Sequence, residues 1–397
     1  MPPVYPAQLQ TRRNTTSYRA SQISSSGIRK FFDLLSSMGE VVSLGVGEPD
    51  FVTPWHIREA AIYSLGRGDT MYTSNSGLLE LRQEVASYLH QAYHLDYDPQ
   101  VELIITAGVS EGLDLAMRAI LDPGDEVILP DPAYVAYPPC ILLAGGIPVP
   151  IPTRGENQFK LKAADIEARI TDRTKAILIG YPSNPTGAVM SREELAQIAK
   201  LARKNNIMVV SDEIYAQLVY GIEHSCFASL PGMRENTILL GGFSKAYAMT
   251  GWRIGYAAAR AEIIQVMTKI HQYTMLRAPI MTQMAAIEAL KFGEADVQQM
   301  RQEYDRRRRV MVAGLNDIGM ACFEPKGAFY TFPAVRGTGL TSEEFAEKLL
   351  VEEKVAVVPG TAFGECGEGH VRCCYATSLA NIEQALERMS RFAARHR

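Results

Sequence analysis

A chain of 397 residues can hold a large domain and a smaller one, and 47% hydrophobic with 21% charged residues excludes a disordered polymer. Lys and Arg total 40 against 44 Asp and Glu, so the net charge of −4 offers no electrostatic footprint for nucleic acid or an anionic membrane. No stretch approaches the ~20 apolar residues of a spanning helix, and the opening MPPVYPAQLQTRRNTTSYR lacks the apolar core of a secretory signal.

In chain order, residues 1–48 are polar, Ser-rich and Arg-bearing, and read as an arm with a helix from Ile28 to Met38. From Val101 the pattern changes to short β-branched runs: ELIIT (102–106), EVILP (126–130), IPVPIP (147–152), KAILIG (175–180), IMVVS (207–211), TILLG (237–241) and RIGYAAA (253–259). Amphipathic segments such as Ser110–Ile120 and Arg192–Arg203 lie between most of them. Apolar runs alternating with helices predict an α/β fold, a mainly parallel sheet covered on both faces, with ligands at the carboxyl ends of the strands. After Glu262 a long helical region leads into an α+β tail containing GAFYTFP (327–333), VAVVPG (355–360) and HVRCCYA (370–376). The expected division is therefore a large domain over 49–295 and a small one over 296–397, which also takes in part of 1–48. Within the tail, Arg306–Arg309 is the one charge run. Glu303 and Asp305 each precede an arginine by four residues, so the run reads as a solvated helix face. The cysteines at 140, 226, 322, 366, 373 and 374 show no CxxC pair and no zinc-ligand spacing, which predicts reduced thiols, a cytoplasmic location and no metal site.

Four segments carry chemistry. In GGFSKAYAMTGWRIGY (241–256), Lys245 follows a strand end and Arg253 lies eight positions later. Such a lysine can capture an aldehyde, and such an arginine can grip a phosphate, although a solvated lysine is the commoner identity. SDEIY (211–215) closes an apolar strand with Asp212, which needs a cationic partner if buried or else caps a helix. NPTG (184–187) is a turn that begins with a potential donor, Asn184, and ITAGVSEG (105–112) runs from strand to helix through small residues. The latter suits a phosphate, and a plain tight turn explains its glycine equally. Arg372, in the apolar stretch HVRCCYA, is costly to bury without an anion, either a substrate carboxylate or a structural partner.

Together with SGIRKFF (26–32), SLGVGEPDF (43–51), YTSNSGLLELR (72–82), PGDEVILPDPAYVAYP (123–138) and VPGTAFGECGEGHVRCCYA (358–376), these segments resemble the fold type I pyridoxal-phosphate enzymes of the aspartate aminotransferase class. The resemblance spans nearly the whole chain and points to the bacterial and archaeal branch that holds aspartate, aromatic and N-acetyl-diaminopimelate aminotransferases. It implies a large domain binding pyridoxal 5'-phosphate and a ping-pong exchange of an amino group between an amino acid and a 2-oxo acid. It implies that Lys245 binds the cofactor as a Schiff base and moves the proton, and that Asp212 pairs with the pyridine nitrogen. Tyr215 and Asn184 would bond the ring's phenolic oxygen, and Tyr134 would stack on the ring. Gly108, Val109, Ser110 and Arg253 would hold the phosphate, with Ser244 also among the cofactor contacts. Tyr72 would reach the phosphate from the other subunit of a homodimer, while Arg372, with Asn184 and Gly47, would receive the substrate's α-carboxylate.

Ser110 stands where the prokaryotic aspartate-specific relatives carry a lysine for the side-chain carboxylate, and Gly242 where the animal-type enzymes carry a phosphate-binding serine. The expected substrates are therefore glutamate/2-oxoglutarate with an aromatic or other bulky partner, entering past Ile23, Ile28 and Tyr72. An aspartate or diaminopimelate aminotransferase is the alternative, and a C–S lyase on the same scaffold a more distant one. A cofactor-sensing transcription regulator is rejected, since the match begins near residue 20 and the chain is acidic.

Overall fold

In the computed structural model, which describes residues 15–23 and 40–396, each of the seven apolar runs becomes a strand of one sheet. These are β1 (Leu103–Thr106), β2 (Glu126–Asp131), β3 (Ile147–Pro152), β4 (Thr174–Ile179), β5 (Met208–Asp212), β6 (Thr237–Gly242) and β7 (Gly255–Ala258), in the spatial order β1-β7-β6-β5-β4-β2-β3. Pairing is parallel from β6 through β5, β4 and β2 to β3. Only β7 runs against its neighbours, β1 and β6. The expected helix at 28–38 and the segment 26–32 lie outside the described residues.

Alternation of side chains explains why both faces are covered. In β4, Ile177 and Ile179 join an apolar cluster with Leu195 and Ile198, whereas Ala176 and Leu178 join another with Leu113 and Met117. The first cluster is roofed by α2 (Arg192–Lys204) and the second by α1 (Val109–Ile120). The α2 sequence starts itself: Ser191 accepts from the Glu194 amide, and Glu194 accepts from the Ser191 amide at 2.7 Å. Its buried Leu195, Ile198, Ala199 and Ala202 recur at helical spacing. β3 falls at the sheet edge for an equally local reason: Pro148, Pro150 and Pro152 have no N–H to give a second neighbour.

The tail forms a separate apolar cluster in which Phe329, Phe345, Leu349 and Phe392 pack with Val42 and Leu44. Its strands β8 (Tyr330–Thr331), β9 (Val358–Pro359) and β10 (Val371–Cys374) form an antiparallel sheet in the order β9-β10-β8. Residues 42–43 pair in parallel with 355–356, so an early segment is built into the tail.

The arginine run corrects half of the sequence reading, since Arg306 and Arg309 are exposed as expected and the two between them are not. On α3 (Glu294–Asp317), Arg307 and Arg308 share the inner face with Met300, Tyr304 and Met311 and are buried. Arg307 pairs with Glu303 at 2.9 Å and Asp50 at 2.8 Å, and Arg308 with Asp305 and Glu324 at 2.7 Å each. The helical-spacing partners were visible in the sequence, but Asp50 and Glu324 come from other segments. Those extra acids are what make the burial tolerable.

Candidate active site

The carboxyl ends of β1, β2, β4, β5 and β6 open onto a cavity of about 560 Å³. Eleven of the residues singled out above line it: Gly47, Val109, Ser110, Tyr134, Asn184, Asp212, Tyr215, Ser244, Lys245, Arg253 and Arg372. Gly108 abuts it through Arg253. Tyr72 does not line it; it lies on the surface, 80% exposed, beneath the guanidinium of Arg277.

One end of the cavity is built for an anion. Gly108 precedes α1 at φ +84°, a left-handed conformation that glycine adopts freely. A Cβ there would come within 2.8 Å of Arg253 Nη2. The amides of the first turn of α1 have no partner within the helix, and the helix dipole favours negative charge in front of them. Arg253, itself at φ +53°, donates Nη1 to the Thr250 carbonyl at 3.1 Å and forms no ion pair among the described residues. Ser110 and Asp212 neighbour the Tyr134 hydroxyl, which burial makes less acidic than usual.

Asp212 closes β5 and is almost fully buried. Burial raises its carboxyl to about 6, although the Ile214 amide at 3.1 Å and the Tyr137 hydroxyl at 2.9 Å both donate to it. Lys245 sits just beyond β6, with Nζ donating to the Gly47 carbonyl at 2.7 Å and lying 5.7 Å from the centre of the Phe329 ring. Burial first, then Arg372 and Arg253, bring its amine down to about 8 against the opposing pull of Cys374 and Glu48. That corresponds to a penalty on the order of 3 kcal/mol on the charged form. A lysine so placed is no solvated charge, and it holds more neutral amine near pH 7 than an exposed lysine does.

Across the cavity, Arg372 on β10 is buried among aromatic rings, 4.5 Å from the centre of Tyr330 and 4.8 Å from that of Phe363. It donates Nη1 to Asn184 Oδ1 at 2.8 Å and Nη2 to the Gly45 carbonyl at 2.7 Å, while its buried Nε has no hydrogen-bond partner among the described residues. Among the described residues no acid pairs with it, so the structural ion pair open to it in the sequence does not form. A buried guanidinium with a donor to spare has the chemistry to receive a carboxylate.

Two residues of this constellation escaped sequence reasoning. Tyr137 bonds Asp212 across 75 positions of chain, and Tyr330 places its hydroxyl 2.8 Å from that of Tyr215. Both lay inside segments quoted above, DPAYVAYP and GAFYTFP, where nothing local separates a core tyrosine from one facing a site.

With this geometry in hand, the chain matches the family described as aminotransferase class I and II over residues 39–389. It is 56% identical over 371 residues to the putative aminotransferase YugH of Bacillus subtilis, covering 94% of this chain and 96% of the relative. It is 44% identical over 376 residues to an aspartate aminotransferase of Pyrococcus abyssi, covering 94% and 97%. Among solved structures, the aromatic aminotransferase of Pyrococcus horikoshii superposes with a TM-score of 0.88 at 44% identity, covering 92% of this chain and 99% of that one.

Proposed function

Because the chain belongs to the class I and II aminotransferases, we propose that its cavity holds pyridoxal 5'-phosphate and serves amino-group exchange between an aromatic or other bulky amino acid and 2-oxoglutarate. The observation that carries this reading is Arg372, a buried cation with an unused donor facing an amine of lowered pKa. The cofactor, when bound, supplies an aldehyde for covalent capture and a ring nitrogen whose proton draws electrons from the reacting carbon. The residues fit such a group: a helix N-terminus and Arg253 for its phosphate, Asp212 for its nitrogen, neither of these two side chains in an ion pair among the described residues, and Lys245 between them.

In this reading Lys245 holds the cofactor in the resting enzyme. Its amine, once freed, would take the proton from the substrate's α-carbon and return it two atoms along, on the far side of the nitrogen. Asp212 stays ionised opposite the ring nitrogen, and its two donors, Ile214 and Tyr137, fix its orientation. Tyr215 and Asn184 would donate to the ring's phenolic oxygen, and Tyr134 would stack on the ring. Gly108, Val109, Ser110, Ser244 and Arg253 receive the phosphate. Arg372, braced by Asn184, would receive the α-carboxylate of either the amino acid or the 2-oxo acid beside Gly47.

Substrate choice follows from charge. Among the described residues the cations lining the cavity are Lys245, Arg253 and Arg372, all assigned above, and Ser110 adds none. A second substrate carboxylate thus meets no dedicated partner there, and a desolvated charge costs several kcal/mol when unpaired. Burying an aromatic ring would contribute about 2 kcal/mol. With 2-oxoglutarate as acceptor, kcat/KM for phenylalanine and tyrosine should exceed that for aspartate by about tenfold, or ~1.4 kcal/mol. An acylated diaminopimelate completes the panel. Aspartate ahead by the same factor would overturn the preference.

A homodimer belongs to the same reading. Met71, Tyr72, Tyr273 and Met275 are exposed, an apolar surface suited to a second copy that brings Tyr72 to the neighbouring phosphate. Mixing an inactive Tyr72 variant with an inactive Lys245 variant should return part of the activity through heterodimers. Exchange of subunits without recovery would remove Tyr72 from the partner's site. A cytoplasmic location with reduced thiols accords with this proposal, and no helix among the described residues is long and apolar enough to cross a membrane.

A further inference from the structure

Tyr330 has no role in the scheme above, yet it touches two residues that do. Its hydroxyl lies 2.8 Å from that of Tyr215, and its ring lies under the Arg372 guanidinium at 4.5 Å. It is 1% exposed, and its strand is registered on β10 through Cys374, two residues beyond Arg372. Gly47 makes room for it, since a Cβ there would stand 2.5 Å from the Tyr330 hydroxyl.

We infer that Tyr330 is a positioning residue that donates its hydroxyl proton to Tyr215 and so couples carboxylate binding at Arg372 to the donor strength of Tyr215. This rests on the reading of the cavity given under Proposed function. Two phenols at this distance share one proton, and either can supply it. Once Tyr215 directs its own proton to the ring oxygen of the cofactor, the shared proton must come from Tyr330. An oxygen that accepts a hydrogen bond becomes a better donor in turn. A cation over an aromatic face draws on its electron density, so Arg372 strengthens Tyr330 as a donor until a substrate carboxylate neutralises it. The ionisable groups facing Tyr330 are Arg372 and Cys374 from β10, Tyr215 after β5 and Tyr134 after β2. Burial keeps Cys374 and both tyrosines neutral at physiological pH, which leaves Arg372 as the charge that acts on the ring.

The test is a spectrophotometric pH titration of the cofactor-loaded enzyme, following the protonation midpoint of its visible band. A strong donor at Tyr215 keeps that midpoint low, because it shares the charge of the ring oxygen. Tyr330→Phe, which keeps the ring, should raise the midpoint by about half a pH unit or more. Tyr215→Phe should raise it further, and adding Tyr330→Phe to that variant should move it by less than about 0.2 units, the signature of one residue acting through the other. Saturating 3-phenylpropionate should raise the wild-type midpoint, and that rise should be at least halved in Tyr330→Phe. A wild-type midpoint in Tyr330→Phe, or effects that add in the double variant, would overturn the inference. Should Tyr330→Phe misfold, the 3-phenylpropionate rise is compared between wild type and Tyr215→Phe; coupling requires it to shrink, and an unchanged rise overturns it. Absence of any visible band in wild type would instead defeat the cofactor reading itself.

Discussion

Lys245→Ala should leave a folded protein with kcat reduced by about ten-thousandfold or more, the scale expected when a covalent and acid–base group is lost together. Among the described residues Lys245 is the only amine on the cavity wall, and its Nζ is fixed by the Gly47 carbonyl rather than by an acid. Wild-type protein with cofactor should be yellow and lose its colour on borohydride reduction, with the label on Lys245. The variant should bind cofactor without covalent attachment. Attachment should also report the lowered amine: its rate should climb as pH rises toward about 8, where Lys245 sheds its proton, and then level off. Unchanged turnover in Lys245→Ala would remove the assignment of the whole site.

Arg372→Ala should lower kcat/KM by about a thousandfold for every amino acid alike, since truncating one half of a buried, hydrogen-bonded charge pair costs about 2–5 kcal/mol. The same change should barely move stability. An arginine in a structural ion pair would leave a stranded acid behind and destabilise the fold. Arg372 has no acid partner among the described residues, so its removal withdraws an uncompensated buried cation at the expense of two hydrogen bonds and two aromatic contacts. Steady-state kinetics on phenylalanine and aspartate, with thermal unfolding alongside, separate the two cases. A Tm lowered by more than about 8 °C, for a chain in which 1 kcal/mol moves it by about 2–4 °C or less, would favour the structural role.

The frame of the molecule was legible because its signals are local. β-branched runs of strand length between amphipathic segments marked all seven strands of the sheet, each within two residues at either end. The antiparallel setting of β7 was not, because the run 253–259 carries nothing that states direction. Lys245, Asp212, Asn184 and Arg372 were legible as an ordered set of motifs, and the structure adds that they face one cavity. What stayed hidden depends on residues far apart in the chain. Tyr137 and Tyr330 look like core aromatics until Asp212 and Tyr215 are brought to them, and Arg307 and Arg308 look solvated until Asp50 and Glu324 arrive.

The proline-bearing strand at the sheet margin has a consequence for crowding. In a parallel ladder successive amides point to opposite sides, and on β3 the Ile147 amide turns inward to the Asp125 carbonyl at 2.8 Å. Positions 148, 150 and 152, which would turn outward, are all proline. An unfolded or neighbouring chain seeking to add a strand there finds carbonyls but none of the donors those three positions would otherwise offer. The opposite margin is occupied as well, where the Ile105 amide of β1 donates to the Ser76 carbonyl at 3.0 Å. Both ends of the sheet are thereby poor templates for aggregation, and at the proline end the protection is written into six consecutive residues that contribute nothing to the chemistry.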